Sequence, residues 1–382
     1  MKIIILGGDG YLGWPTAMKL SKAGHEVMAV DNYLRRRLCR EESVDPLMEV
    51  PELRARARRW HEVSGRKIAV RIGDLTDWSF VTEIFNAFKP DALVHYAEQP
   101  AAPYSMLNHR AAALTLSNNL NVTLNVIYAV RQFAPNCHIV KLGTMGEYGT
   151  PDIDIEEGWI DIDHKGRKDR FLFPRQAGSL DHTTKIMDTD LLWLYVRTWG
   201  LRVTDLMQGP VYGLVTEENQ GHEDLYPFLN YDEIFGTVIN RFVVQAVAGY
   251  PLTVYGAGGQ TRGFLNIKDT LSCIQLSIEH PAKERELRVL NQFTETFSVN
   301  ELAERVSRVG RQLGMEVGVK AVVNPRKEVE RHYYNPAHTG LLSLGLKPNF
   351  LTDEILADLL EVVRRYKDRI DPSRFMLNVK WD

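Results

Sequence analysis

KIIILGGDGYLGWPTAMKLSKAGHEVMAVDN, residues 2–32, decides how the rest of the chain is read. It opens with a β-branched apolar run that suits a short buried strand. Gly7, Gly10 and Gly13 follow at G-x-x-G-x-x-G spacing. A stretch with helical apolar spacing comes next, and then EVMAVDN, a second strand ending in Asp31. Glycine lets the backbone turn tightly and approach a diphosphate held at the N-terminus of the following helix. An acid closing the second strand stands where a ribose diol would lie. A plain strand–helix turn with a chance acid has the same spacing, so the glycines count only because strand, turn, helix and strand come in that order. Asp31 would accept hydrogen bonds from both ribose hydroxyls and repel a 2′-phosphate, which favours NAD over NADP. The arginines at 35–37 point the other way, since one of them could turn towards a phosphate.

The alternation continues downstream. KIAVRIGDL reads as a strand ending near Asp74, TDWSFVTEIFNAF as a helix, and DALVHYAE as another strand. A helix runs through Asn118 and Asn119, and CHIVKLGT is a strand leading into Thr144. Strands separated by helices predict an α/β fold, a Rossmann-like doubly wound parallel sheet with ligands at the carboxyl ends of its strands. Asp31, Asp74, Ala97, Glu98 and Thr144 then surround one crevice. After QGPVYG the rhythm loosens, so the expected nucleotide-binding domain covers residues 1–210 and a smaller C-terminal substrate lobe covers 211–382. A strand and helix from about 235–270 are expected to return to the first domain.

The bulk numbers narrow the partners. The 382 residues are 44% hydrophobic and 25% charged, with a net charge of −3. That is ordinary globular composition and gives no electrostatic reason to expect nucleic acid or an anionic membrane. The basic clusters Arg35–Arg37 and Arg54–Arg59 read as solvated faces. Three scattered cysteines exclude a disulfide framework or a cysteine zinc site and fit a reducing compartment. The apolar run at the N-terminus is too short for a secretory segment or a membrane span, so the expected location is cytoplasmic, with an organellar stroma left open.

These segments together resemble the extended short-chain dehydrogenase/reductase family of nucleotide-sugar enzymes. The family marks are the glycine turn, the acid after the second strand, a Ser/Thr ending a later strand, and Tyr-x-x-x-Lys on the next helix. Within the family, the sulfoquinovose-synthase branch is similar to this chain in GGDGYLGWPTA, EQPAAPYSM, KLGTMGEYGTPDIDIEEG, YPLTVYGAGGQTRGFLNIKD, NQFTETFSVNELA and NPRKEVERHYYNP, in that order.

The resemblance implies a tightly held NAD and, as substrate, UDP-glucose or a related nucleotide sugar. It further implies oxidation at C4, loss of water across C5 and C6, addition of sulfite at C6, return of the hydride to C4, and a homodimer. The catalytic residues it implies are Thr144, the position of Asp181, His182 and Lys185, with Met145 and Glu147 in the adjoining loop; a salt-bridge role for Glu147, and a partly exposed helix position without chemistry for His182, stay open. For the cofactor it implies Gly7, Asp9, Gly10, Tyr11, Gly13, Asp31, Asn32, Arg35, Asp74, Leu75, Ala97, Glu98, Asn118, Lys185 and Gln208. For the sugar nucleotide it implies Gln99, Tyr104, Thr144, Gln208, Val211, Arg241, Thr253, Tyr255, Gln260, Arg262, Arg326 and His332, with Arg262 and Arg326 on the diphosphate. Met145 and Gly146 stand where dTDP-glucose 4,6-dehydratases carry Asp and Glu, which argues against that reaction.

Two positions depart from the pattern. Pro100 replaces an Arg of the branch, removing a cation that would favour an anion such as sulfite. Asp181 replaces the Tyr of Tyr-x-x-x-Lys. A carboxylate starts near pKa 4 and the neighbouring cations are expected to push it lower, while a phenol near 10 would be drawn towards neutrality. Asp is also several ångströms shorter, so impaired C4 oxidation is expected. A 4-epimerase or dehydratase without sulfite addition, and a non-catalytic NAD- and sugar-nucleotide-binding protein, stay open beside the synthase reading.

Overall fold

The run at the start of the chain forms strand β1 (Lys2–Leu6), buried from Ile3 onward on both faces as a central parallel strand must be. The computed structural model describes residues 1–326, 332–377 and 379. After β1 come α1 (Gly13–Lys22), β2 (Glu26–Asp31), α2 (Leu34–Glu41), α3 (Leu53–Ser64), β3 (Ile68–Ile72), α4 (Trp78–Phe88) and β4 (Ala92–His95). A short α5 (Ala102–Ser105), the long α6 (His109–Phe133) and β5 (His138–Thr144) follow. Next are a hairpin of β6 (Trp159–His164) and β7 (Arg167–Leu172), then α7 (Leu180–Trp199) and β8 (Arg202–Gln208).

The remaining elements are β9 (Val211–Tyr212), α8 (Val238–Ala248), β10 (Leu252–Tyr255), β11 (Thr261–Asn266), α9 (Ile267–Glu279) and β12 (Glu286–Gln292). They end with β13 (Glu295–Ser298), α10 (Val299–Gln312), β14 (Val319–Val322), α11 (Gly340–Ser343) and α12 (Asp353–Arg364).

Seven strands form the central sheet in the order β12-β8-β5-β4-β1-β2-β3, every pair parallel. Helices cover both faces. Val81 and Phe85 of α4, Val126 of α6 and Val196 of α7 fill one side. Trp14 and Met18 of α1 and Ile274 of α9 fill the other. This is the doubly wound α/β fold expected from the alternation, and its strand order reverses between β1 and β4, where a crevice opens at the carboxyl ends.

A second core joins α8, α10 and α12 through Phe242, Val306 and Leu360. Two small sheets, β13-β11-β9 and β10-β14, flank it. The return to the main sheet comes later than the expected 235–270 segment. Helix α8 stays with the second core, while α9 packs against α1 and β12 becomes the edge strand beside β8. Among the described residues no helix is long and apolar enough to cross a membrane.

Candidate active site

The glycine turn makes the floor of the crevice. Gly7 has φ 84°, and a Cβ there would lie 2.8 Å from the Tyr96 carbonyl after β4, so only glycine lets the two strand ends close up. Asp31 at the end of β2 accepts the N–H of Asp9 at 2.9 Å and of Tyr33 at 2.6 Å. Burial, helped by the nearby Asp9 carboxylate, pushes it up to about 6. Gly10, Tyr11, Gly13, Asn32, Arg35, Leu75, Ala97 and Asn118 line the same space. Asp74 does not: it caps Thr76 and accepts from the Asn32 amide at 3.2 Å.

At the centre, β5 ends in Thr144, whose hydroxyl accepts from Gly146 N–H and caps the turn Met145–Glu147. Opposite it stands the first turn of α7, capped by Ser179, which accepts the His182 N–H at 3.3 Å. Spacing of four residues puts Asp181 and Lys185 on one buried helix face, and both line the cavity. Lys185 Nζ donates to Glu98 Oε2 at 2.7 Å and to the Leu142 carbonyl at 2.8 Å. Burial works against the ion pair, yet Lys185 ends above its ordinary value and Glu98 below, so both are charged.

Asp181 is 1% exposed, its backbone N–H donates to Ser105 Oγ, and its Oδ1 has no hydrogen-bond partner among the described residues. The expectation that nearby cations push it below pKa 4 is overturned. Burial dominates, Glu98 has already taken Lys185, and Asp181 rises to about 7. His182 packs its ring on Gly146, where a Cβ would overlap the imidazole. Burial, then Arg326, Lys185 and Arg262, lower it to about 3, so it is a neutral imidazole.

Glu147 does not line the cavity. It is fully buried beneath the site, 3.4 Å from Lys141 Nζ and 3.3 Å from Arg175 Nη1, and it accepts the Thr144 N–H at 3.2 Å. Lys141 in turn donates to the Lys185 carbonyl at 2.9 Å and to Thr189 at 2.8 Å, and lies 3.3 Å from Asp205. Glu147 therefore positions Thr144 and α7 instead of touching a reactant.

The far half of the cavity is basic. Arg241, Arg262 and Arg326 line it, together with Val211, Tyr255, Gln260 and Gln208. Arg241 Nη1 donates to Tyr255 Oη at 3.2 Å, and Tyr255 donates to Glu233 Oε1 at 3.0 Å. The other Glu233 oxygen accepts the backbone N–H of Leu377 at 2.6 Å and of Val379 at 3.4 Å. Four expected substrate residues stand one layer back. Gln99 is bonded to Asn119 and Thr115, Tyr104 stacks on Phe235, Thr253 is bonded to Gln245, and His332 lies 2.9 Å from Arg262 Nη1. Residues 327–331 of NPRKEVERHYYNP lie outside the described residues.

Whether a dinucleotide and a second nucleotide fit can be judged from what the protein leaves unsatisfied. The cavity holds about 700 Å³. Buried atoms without a hydrogen-bond partner among the described residues include Glu98 Oε1, Asp181 Oδ1, Gln208 Oε1, Gln260 Oε1, Arg35 Nη1 and Arg241 Nε, and all six side chains line this one space. The acceptors suit ribose and sugar hydroxyls and the guanidinium groups suit phosphates, so the residues fit. Glu233, Phe235, Asn240 and Tyr334 also line it. Sequence reading missed Glu233, Phe235 and Asn240 because they come from an irregular loop and a second lobe with no motif of their own, and passed over Tyr334 inside NPRKEVERHYYNP in favour of Arg326 and His332.

Comparison with known proteins agrees with this geometry. The NAD dependent epimerase/dehydratase family matches residues 3–291. The chloroplastic UDP-sulfoquinovose synthase of Spinacia oleracea is 48% identical over 380 residues, covering 100% of this chain and 79% of that protein. The UDP-sulfoquinovose synthase of Sulfolobus acidocaldarius is 44% identical over 384 residues, covering 100% and 98%. The UDP-glucose 4-epimerase of Thermotoga maritima, solved with UDP-glucose, superposes with a TM-score of 0.71 at 18% identity, over 96% of this chain and 99% of that one, a likeness of fold. The chain belongs to the NAD dependent epimerase/dehydratase family, in the branch formed by its UDP-sulfoquinovose synthase relatives.

Proposed function

We propose that this chain binds NAD and UDP-glucose in one cavity and builds UDP-sulfoquinovose, with sulfite as the sulfur donor. The carrying observation is the set of groups gathered in that cavity. The glycine turn follows β1 and Asp31 ends β2, while Thr144 ends β5, two strands along the sheet from β1, with His182 and Lys185 on α7 beside it. Arg241 and Arg262 come from the second lobe, and all line the cavity with Arg326. NAD, when bound, supplies a hydride acceptor for C4 and gives the hydride back.

The chain's own residues do the rest. Thr144 offers its hydroxyl to the sugar O4. Lys185 holds positive charge beside that oxygen, which favours loss of its proton. A ketone at C4 acidifies the C5 proton, and His182, held neutral, has a ring nitrogen lone pair to accept it, while the burial and cations that keep it neutral also make it a weaker base than an ordinary imidazole. Arg262 and Arg326 suit the two phosphates, because guanidinium matches paired phosphate oxygens. Asp181 is basic enough near neutrality to take the O4 proton, but its short side chain reaches that oxygen only through a water.

Incubation with UDP-glucose, with and without sulfite, followed by product mass, tests the proposal. A sulfite-dependent product heavier than UDP-glucose supports it. Unchanged UDP-glucose in the presence of an Asp181→Tyr variant that folds and binds both ligands overturns it. A second reading, binding of NAD and a UDP-sugar without turnover, is favoured by Asp181 and Pro100. It predicts that outcome.

A homodimer is part of the proposal. Leu116 and Tyr128 on α6 and Met187 and Leu194 on α7 expose apolar surface on two adjacent helices. Sedimentation of the chain and of a Leu194→Asp variant tests it: a dimer that the charge converts to monomer is expected.

A further inference from the structure

The two basic clusters do not behave as solvated faces throughout. Arg37 and Arg58 are exposed, but Arg36 and Arg56 turn inward and meet at Asp9, in the middle of the glycine turn. Asp9 is 2% exposed. Arg36 grips it with two bonds, Nε to Oδ2 at 2.7 Å and Nη2 to Oδ1 at 2.9 Å. Arg56, itself fully buried, donates Nη2 to the Asp9 carboxylate at 2.5 Å and to its carbonyl at 3.0 Å. Two further bonds hold Arg36, from Nη1 to the Val50 carbonyl and from Nη2 to the Pro51 carbonyl, both at 2.8 Å. The guanidinium also lies over the rings of Tyr33 and Phe228.

The location of this cluster gives it meaning. The backbone N–H of Asp9 donates to Asp31, the acid placed at the adenosine ribose, and Tyr33, the ring beneath Arg36, donates its own N–H to the other Asp31 oxygen. Arg36, in the first turn of α2, is thus one residue removed from the ribose site, near enough to be the kind of arginine that accommodates a 2′-phosphate. Asp31 repels such a phosphate, but a free guanidinium beside it would offset that repulsion with charge-assisted, paired hydrogen bonds. The bonds to Asp9, Val50 and Pro51 remove that option. An acid in a turn that faces a diphosphate would otherwise be unfavourable; here Arg36 and Arg56 neutralise it.

We propose that Asp9 is a specificity-determining residue, which excludes the 2′-phosphorylated dinucleotide by holding Arg36 and Arg56 away from the adenosine ribose. NAD binding follows from family membership, so this inference does not depend on the sugar substrate or on turnover.

Calorimetric titration of NAD and NADP into the wild-type chain, Asp9→Asn, Arg36→Met and the double variant tests it. Asp9→Asn is expected to shift the NAD-to-NADP affinity ratio towards NADP by about tenfold or more, the strength of a gained charged phosphate contact. Adding Arg36→Met should return the ratio to the wild-type value. Arg36→Met alone should leave the ratio within about twofold, because a sequestered arginine contributes nothing to either cofactor. That single variant decides the matter if Asp9→Asn does not fold. An unchanged ratio in Asp9→Asn, an equal loss of both cofactors, or weaker NADP binding in Arg36→Met alone overturns the inference.

Discussion

Lys185 gives its ammonium to Glu98, at 2.7 Å, and not to Asp181 one helical turn before it. A single cation cannot neutralise two buried acids equally, so the one it touches ionises and the other is lifted by burial. Basicity therefore does not disqualify Asp181 as a proton acceptor. Reach does, because the oxygen of a tyrosine would extend several ångströms further into the cavity.

Restoring that reach should restore chemistry. Asp181→Tyr is expected to raise the single-turnover rate of NADH formation from UDP-glucose by about a hundredfold or more, the usual scale of a well-placed general base. Stopped-flow absorbance of NADH measures it. A variant no faster than its parent would show that another group takes the O4 proton.

Glu98 is the partner that keeps Lys185 charged inside the protein. Glu98→Gln should lower stability by about 3 kcal/mol, since removing one member of a buried ion pair strands the other. Chemical denaturation at neutral pH reads the difference. A loss below about 1 kcal/mol would mean that Asp181 takes over the ammonium.

The raised Asp181 makes a pH prediction with a definite sign. Its ordinary value is 3.8 and its folded value about 7, so between about pH 4 and pH 7 the folded chain holds a proton that the unfolded chain has released. Stability from this group falls as pH rises through that window. Asp181→Asn removes the effect, so the variant should gain on its parent between pH 5 and pH 8 by on the order of a few kcal/mol. Asp31, raised to about 6, slopes the same way in both proteins and cancels in the difference. A difference independent of pH would place the Asp181 carboxyl in an ordinary environment.

His182 rests on Gly146 with no room for a side chain between them. Gly146→Ala, made together with Asp181→Tyr, should displace the ring and cut turnover by about tenfold while NAD affinity stays within about twofold. Calorimetry and product assays separate the two. Loss of NAD binding would instead point to collapse of the Met145–Glu147 turn.

The parts of the molecule legible in the sequence are those whose signals are local. The strand, the Gly7–Gly10–Gly13 turn and Asp31 sit within one short segment, and the parallel sheet follows from strand–helix alternation. Asp181 and Lys185 could be placed on one face from their spacing, but not their electrostatics, because the deciding partner, Glu98, comes from the loop after β4. For Glu147 the sequence leaves a salt-bridge role beside catalysis; what decides is burial against Lys141 and Arg175, brought in by the fold. Arg36 and Arg56 read as surface for the same reason, since nothing within either cluster reveals Asp9. The β6–β7 hairpin was the most readable of the omissions. Lys165 and Gly166 both take positive φ, as a two-residue hairpin turn requires, and a Lys-Gly pair between two alternating strands carries that signal.

Glu233 ties the tail of the chain to the basic half of the cavity, accepting Leu377 and Val379 on one oxygen and Tyr255, the partner of Arg241, on the other. Leu377 and Val379 are therefore poor ground for an insertion or a deletion. A shift of the backbone there pulls on the same carboxylate that aligns Arg241.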